Sequence, residues 1–153
     1  MLLYIFWTNF IYLHNETNYF IHLKAGKIIE EGNASLPQGT LVEVTNLFYN
    51  TPARYKHLGN SYQELAAISE YIYKIAIANP HISFTLTNND KTLFQTYGNN
   101  DTLEVINEAY GSKTAQKMIS FSNHNNLYQI SGYTTNNEIF KSNRNSLIVI
   151  VNG

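Results

Sequence analysis

Residues 39–56 read GTLVEVTNLFYNTPARYK, and this stretch decides how the rest of the chain is interpreted. Leu41 to Thr45 are rich in β-branched side chains and predict a strand. Thr51 is held extended by the proline that follows it, as a helix N-cap should be, and Pro52 suits the first helical position. The stretch therefore predicts a strand, a turn and a short helix that Gly59 ends.

The flanking residues predict a sheet and a covering helix. Strand-like alternation from Tyr19 to Leu23, a turn at Ala25-Gly26 and a second run from Lys27 to Glu30 are typical of a hairpin. After the central stretch, Ser61 and Glu64 have the spacing of a capping box. The helix that follows, from about residue 62 to 79, ends before Pro80 and is expected to cover the sheet with Leu65, Ile68, Ile72 and Ile75.

The second half of the chain predicts further strands and helices. Alternation at Ile82, Phe84 and Leu86, a turn at 88–90 and a return at 93–96 indicate a second hairpin, expected to join the same sheet. The polar connector 97–100, YGNN, is the best domain boundary. Asp101 then caps a helix that Gly111 ends. A brief helix at 113–117 and strands at 118–122, 127–134 and 146–151 complete the prediction.

Composition excludes several classes of function. The 153 residues carry 14% charged side chains and a formal net charge of -1, so the chain lacks the overall basic footprint of a dedicated nucleic-acid binder. With no cysteine there is no disulfide, cysteine-ligated zinc, iron–sulfur cluster or thiol nucleophile. The five histidines are scattered without HxxxH or HExxH spacing, and no metal site is predicted. These features favour a cytoplasmic protein.

The apolar N-terminus, MLLYIFWTNFIYL at residues 1–13, leaves two interpretations open. A signal peptide would need a basic start and a small-residue cleavage site, and a membrane span would need about 20 apolar residues. We expect buried structure or an unnatural chain start here. A membrane or export role is the alternative.

The stretch at 39–56 closely resembles the GTxVEVxxLFYNTPARxK block of the MutL family of DNA mismatch repair proteins. Three further matches keep the family order: GKIIEEG at 26–32, ISFTL at 82–86, and SNRN at 142–145 with VNG at 151–153. Departures are His57, where the family commonly has Phe, and Ser131, where many members have a basic residue. The resemblance covers residues 18 to 153.

The resemblance implies an α+β fold in two parts. Residues 18–97 are similar to the C-terminal half of a GHKL-type ATPase domain, a two-layer α/β sandwich. Residues 98–153 are similar to the N-terminal part of a transducer domain like the second domain of ribosomal protein S5. Residues 1–17 stay unassigned.

The resemblance also implies roles for individual residues. Gly39 and Thr40 match the position that helps to bind the adenine edge of ATP, and a threonine hydroxyl can donate one hydrogen bond and accept two. The resemblance gives Arg54 and Lys56 a functional or interdomain role. The alternative is that both are solvated charges on a helix surface. Lys141 and Arg144, near the last predicted strand, are possible contacts to a DNA phosphate or are simply exposed charges. The matched family motif comprises Leu47, Phe48, Tyr49, Asn50, Thr51, Pro52, Ala53, Arg54 and Lys56.

By resemblance the function is that of an ATP-binding and ATP-hydrolysing dimeric linker between a MutS-type mismatch sensor on DNA and a downstream nuclease or helicase. The family uses ATP and Mg²⁺. In the family, the catalytic glutamate, the metal-binding asparagine and the glycine-rich lid precede the matched part. These motifs do not occur in residues 1–38. We therefore expect a truncated chain that has no catalytic residue and that binds no nucleotide by itself. The alternative is a non-catalytic remnant or interaction module that does not bind nucleotide.

Overall fold

A computed structural model describes residues 19–33, 39–139 and 146–152, together with the backbone of residues 9–14. The described residues form eight strands and four helices: β1 Asn9–His14, β2 Tyr19–Lys24, β3 Lys27–Asn33, β4 Thr40–Thr45, α1 Pro52–Lys56, α2 Ser61–Ala78, β5 Thr85–Asn88, β6 Lys91–Gln95, α3 Thr102–Tyr110, α4 Ser112–Ala115, β7 Met118–His124 and β8 Gln129–Thr135. The chain divides into two compact units, a first unit of Met1–Asn60 and a second unit of Ser61–Gly153.

The first unit contains an antiparallel sheet in the order β3-β2-β1-β4. β2 and β3 form the predicted hairpin, and Ala25 and Gly26 make its two-residue turn with φ of 51° and 77°. Such left-handed pairs match the twist of the strands that they connect. β4 begins at Thr40, as the sequence predicts, and pairs with β1 through partners such as Leu41 and Leu13.

β1 comes from the apolar N-terminal stretch. Five of its six residues pair with β2 on one side and all six pair with β4 on the other, so this segment is a central strand of the sheet. Residues 9–13 of the apolar run, where we expected buried structure or an unnatural chain start, thus lie in a strand; residues 1–8 lie outside the described part of the chain. None of the helices in that part combines the length and the apolar character that a membrane crossing requires.

The second unit has its core where α2, β6 and α3 meet. Ala76, Phe94 and Val105 contribute one buried side chain from each element, with exposed fractions of 0%, 3% and 2%. The partly buried residues around them are Ile72, Tyr73, Ile77, Phe84, Leu86 and Ala109. Small Ala76 lets the Phe94 ring approach the helix closely, which is how interiors reach their usual density.

The apolar face of α2 differs from the prediction at one residue. Leu65, Ile72 and Ile75 are partly buried as expected, but half of the Ile68 surface is exposed. The core instead takes Tyr73, whose ring centroid lies 4.8 Å from that of Phe94. Tyr73 is partly buried against this core, and burial of its aromatic surface favours this orientation of the helix.

Two other expectations about strands are wrong. β5 and β6 pair only with each other among the described strands and form a sheet separate from the four-stranded one. The strand expected at 146–151 is absent from the described residues 146–152, where Leu147, Val149 and Val151 are more than 70% exposed at 72%, 73% and 76%. An apolar run makes a strand only where a neighbour supplies backbone partners, and sequence periodicity does not reveal the neighbour.

A hairpin of β7 and β8 follows α4. Phe121 lies directly opposite Gly132, and a Cβ added to this glycine would be 3.1 Å from the Phe121 Cζ. The first unit repeats the arrangement with Phe20 opposite Gly32, where the added Cβ would be 3.3 Å from Cε1. In both hairpins the ring covers a bare stretch of the facing strand, which explains a glycine inside each strand.

Candidate functional site

The candidate site is the segment from Gly39 to Lys56, which contains β4, a tight turn and α1. Gly39 has φ of 142° and nothing within 4 Å of the place where a Cβ would be, so the space beside the head of β4 is open. Thr40 follows it as the first residue of the strand and is exposed. The structure therefore places the Thr40 hydroxyl, with its donor and two acceptors, at an accessible strand end.

The turn after β4 uses two left-handed residues. Asn46 has φ of 53° and Phe48 has φ of 64°. Asparagine adopts this conformation readily, whereas for phenylalanine it is uncommon. Hydrogen bonds from Tyr49 N to Asn46 O at 3.0 Å and from Thr51 N to Phe48 O at 2.9 Å close the turn. The chain thus reverses from strand to helix within a few residues, as the motif predicts.

α1 begins at Pro52 with Thr51 as its N-cap residue, which confirms the predicted helix start. The Thr51 hydroxyl makes no capping bond and instead donates to Phe48 O at 3.5 Å. The helix ends at Lys56 with His57 as C-cap, so it stops earlier than Gly59. Arg54 and Lys56 lie in its last turn, where positive charge suits the helix dipole, and both are exposed.

The site contains one buried polar atom without a partner. The side-chain oxygen Oδ1 of Asn50 is shielded from solvent and makes no hydrogen bond. Such an acceptor costs about 1–3 kcal/mol unless a donor reaches it. Sequence analysis did not single out this burial, and nothing in the residue pattern signals it. The left-handed Phe48 was missed for the same reason, although Asn46 carries the usual signal for such a turn.

The other predicted residues are dispersed. Leu47 and Tyr49 are exposed at 47% and 46%, whereas Phe48 and Asn50 are partly buried in the turn. Lys141 and Arg144 lie outside the described residues, and their DNA role stays a prediction. A depression in the described structure lies at the β7–β8 turn, along residues 124–129, and does not include Thr40. Within the described ranges, no three acidic or histidine side chains are grouped so that they could hold a metal ion.

Two groups of this segment are available to hydrogen-bond a ligand. Thr40 beside open space fits the edge of a purine, and the unpaired Asn50 oxygen fits an N–H donor. An acceptor oxygen does not suit a phosphate, which requires N–H groups or cations. The Thr40 hydroxyl and the Asn50 oxygen therefore suit the hydrogen-bonding groups of a base, and the Asn50 oxygen does not suit a phosphate.

Comparison with known proteins first defines the class of protein. The ATPase domain of Aquifex aeolicus MutL complexed with ADP superposes with a TM-score of 0.67 at 25% identity, over 76% of this chain and 48% of that domain. A second structure, the ATPase domain of the mismatch repair endonuclease MutL from the same organism, gives a TM-score of 0.68 at 23% identity over 85% and 51% of the two chains. The α+β fold is thus that of part of a GHKL-type ATPase domain.

Sequence relatives then define the family. MutL of Listeria monocytogenes is 42% identical over 133 residues and MutL of Anoxybacillus flavithermus is 40% identical over 131 residues, which is 87% and 86% of this chain. In both cases the match spans 22% of the relative. No family model matches the chain. The chain belongs to the MutL family of DNA mismatch repair proteins and spans about a fifth of the length of these relatives.

Proposed function

We propose that the chain acts as part of a MutL-type mismatch repair ATPase in the cytoplasm. The observation that carries this proposal is the 39–56 motif in its expected setting, with Thr40 at the head of β4 and a tight turn into α1. In this role a complete protein would bind and hydrolyse ATP with Mg²⁺ and would link, as a dimer, a MutS-type mismatch sensor to a nuclease or helicase. The domain division at residues 97 and 98 belongs to the same proposal.

Thr40 and Gly39 are proposed to contact the adenine edge of ATP. The open space beside Gly39 supports this role, because a flat base can approach the backbone there. The exposed hydroxyl of Thr40 can donate to a ring nitrogen or accept from the exocyclic amine. ATP, when bound, would supply the phosphoryl group that is transferred to water, and these residues would orient its base.

These 153 residues alone are proposed to bind ATP weakly. A single net hydrogen bond from Thr40 contributes about 0.5–1.5 kcal/mol. Millimolar binding already requires about 4 kcal/mol. Isothermal titration of the 153-residue polypeptide with a non-hydrolysable ATP analogue and Mg²⁺ tests this, and we expect no heat of binding at micromolar concentrations. Micromolar affinity would contradict the proposal.

The adenine role of Thr40 needs a complete pocket for its test. The portion of Listeria MutL that precedes the matched region can be fused to residues 18–153, and the fusion is expected to bind the analogue. Thr40→Ala should then weaken binding about threefold to tenfold, which is the loss of one hydrogen bond. The matched control is Thr87→Ala, an exposed strand threonine in the second unit. Equal affinities for the two variants would refute the assignment of Thr40.

A further inference from the structure

We infer that residues 96–101 form a fixed joint that makes α2, the β5–β6 hairpin and α3 move as one body. This segment contains the polar YGNN connector, whose composition is typical of a flexible linker. The inference rests on the proposed domain division, because the joint is where the ATPase part would pass into the transducer part. The evidence for it is a continuous set of contacts that cross this boundary.

Thr96 is the first anchor of the 96–101 joint. Its backbone N–H donates to Phe84 O at 2.8 Å, and its hydroxyl accepts from Phe84 N at 3.0 Å. The same hydroxyl lies 3.4 Å from Ile82 O, to which it donates. Thr96 is only 2% exposed, so water does not compete for these bonds. The end of β6 is thereby tied to the segment that leads from α2 into β5.

Gly98 is the second anchor, and here the reason is space. Its φ is 69°, and a Cβ would lie 2.9 Å from Ser83 N and 3.0 Å from His81 O. Both atoms belong to the backbone and cannot rotate away. Two residues later, Asn100 N donates to Pro80 O at 3.0 Å. Residues 98–100 are therefore in close contact with residues 80–83 along their backbones.

Asp101 fixes the far end of the joint to α3. Its Oδ1 accepts from Leu103 N at 2.9 Å and from Glu104 N at 3.2 Å, and it caps the helix as the sequence predicts. The N–H of Asp101 donates to Asn99 Oδ1 at 3.0 Å, and the Asn99 side-chain amide also donates to Glu104. The connector and the first turn of α3 consequently share one hydrogen-bonded network.

The core of the second unit crosses the same boundary. Val105 on α3 is packed with Phe94 on β6 and Ala76 on α2. The Tyr73 ring lies 4.8 Å from the Phe94 centroid and makes an edge contact with Tyr110 on α3 at 6.0 Å. A hinge at the joint would have to open this core as well as the hydrogen bonds. Segments that hinge normally have few buried contacts, and this one has many.

The inference predicts a rigid distance between α2 and α3. Because the chain has no cysteine, Tyr71→Cys and Glu108→Cys give two clean attachment points for spin labels, and both side chains are exposed. Pulsed dipolar spectroscopy should show one narrow distance distribution. A broad or two-peaked distribution would overturn the inference. The measurement uses no nucleotide, so its failure and a failure of ATP binding are distinguishable.

Variants of the joint sharpen the test. Gly98→Ala, added to the labelled pair, should broaden the distribution, because the methyl group collides with the backbone at 81–83. Gly26→Ala is the matched control: it has a similar φ of 77° and nothing within 4 Å of its Cβ, and it should leave the distribution unchanged. If Gly98→Ala does not fold, Thr96→Val removes the hydroxyl bonds with little change of shape and should also broaden it. An unchanged narrow width in the variant that folds would contradict the joint.

Discussion

The first unit carries the family motif, and the second unit carries the core. In the first unit all six residues of β4 are exposed, and β3 is exposed at six of its seven positions. In the second unit α2, β6 and α3 each contribute a side chain that is at most 3% exposed. Among residues whose side chains the structure describes, every buried one belongs to the second unit. A strong sequence signature therefore marks a site and gives no measure of local stability.

The largest effect is expected from the core. Phe94→Ala removes a ring that is 3% exposed and should lower the free energy of unfolding of the second unit by about 3–5 kcal/mol, through lost burial and a cavity. Leu41→Ala in the first unit should cost about 1 kcal/mol or less, because 48% of Leu41 is already in water. Urea titrations followed by circular dichroism give both values. Equal losses of stability in the two variants would contradict the claim that the core lies in the second unit.

Helix caps provide a smaller contrast. Asp101→Ala removes two side-chain capping bonds from α3 and should cost about 0.5–2 kcal/mol. Thr51 also precedes a helix, but its hydroxyl makes no capping bond, so Thr51→Ala should cost clearly less. Thermal denaturation of the two variants under one buffer is sufficient. A larger loss for Thr51→Ala would show that the turn before α1 depends on this hydroxyl.

The two phenylalanine–glycine pairs compare one hairpin from each unit. Gly132→Ala should push the Phe121 ring aside, since the new Cβ would be 3.1 Å from Cζ, and should cost about 0.2–1 kcal/mol, the usual value of a cross-strand pair. Gly32→Ala leaves 3.3 Å to the Phe20 ring and should cost less. Chemical denaturation distinguishes them. If Gly132→Ala instead raised the stability, the Phe121 ring would be able to move aside at no cost.

The smallest effect concerns alkaline pH. Burial raises the pKa of the Tyr110 hydroxyl above its usual 10.0, with smaller contributions from Glu70 and Tyr73. Because the folded state then keeps its proton more strongly than the unfolded state, this contribution is complete below pH 10 and is lost as the pH rises through the folded pKa. Tyr110→Phe should flatten the decline in stability above about pH 10. An identical alkaline decline in both proteins would contradict this assignment.

Local signals in the sequence predicted much of this structure. The β2–β3 hairpin, the start of β4, the helix start at Pro52 and the Asp101 cap all depend on short-range chemistry. What failed depended on partners distant in sequence: the division into separate sheets, the exposed Ile68 and the strand expected at 146–151. At the candidate site, Thr40 and Pro52 were found from the motif. The left-handed Phe48 and the buried Asn50 oxygen result from the way the turn closes, and the residue types in the turn do not predict them.

Native-state hydrogen exchange tests most directly whether the sheet that carries the motif is less stable than the core of the second unit. Amides of α2, β6 and α3 are expected to open only with unfolding of the second unit and to have the highest protection, because buried side chains hold these elements together. Amides of β3 and β4 are expected to exchange through smaller, local openings. Protection in β4 that equals or exceeds that of α2 and α3 would contradict the account.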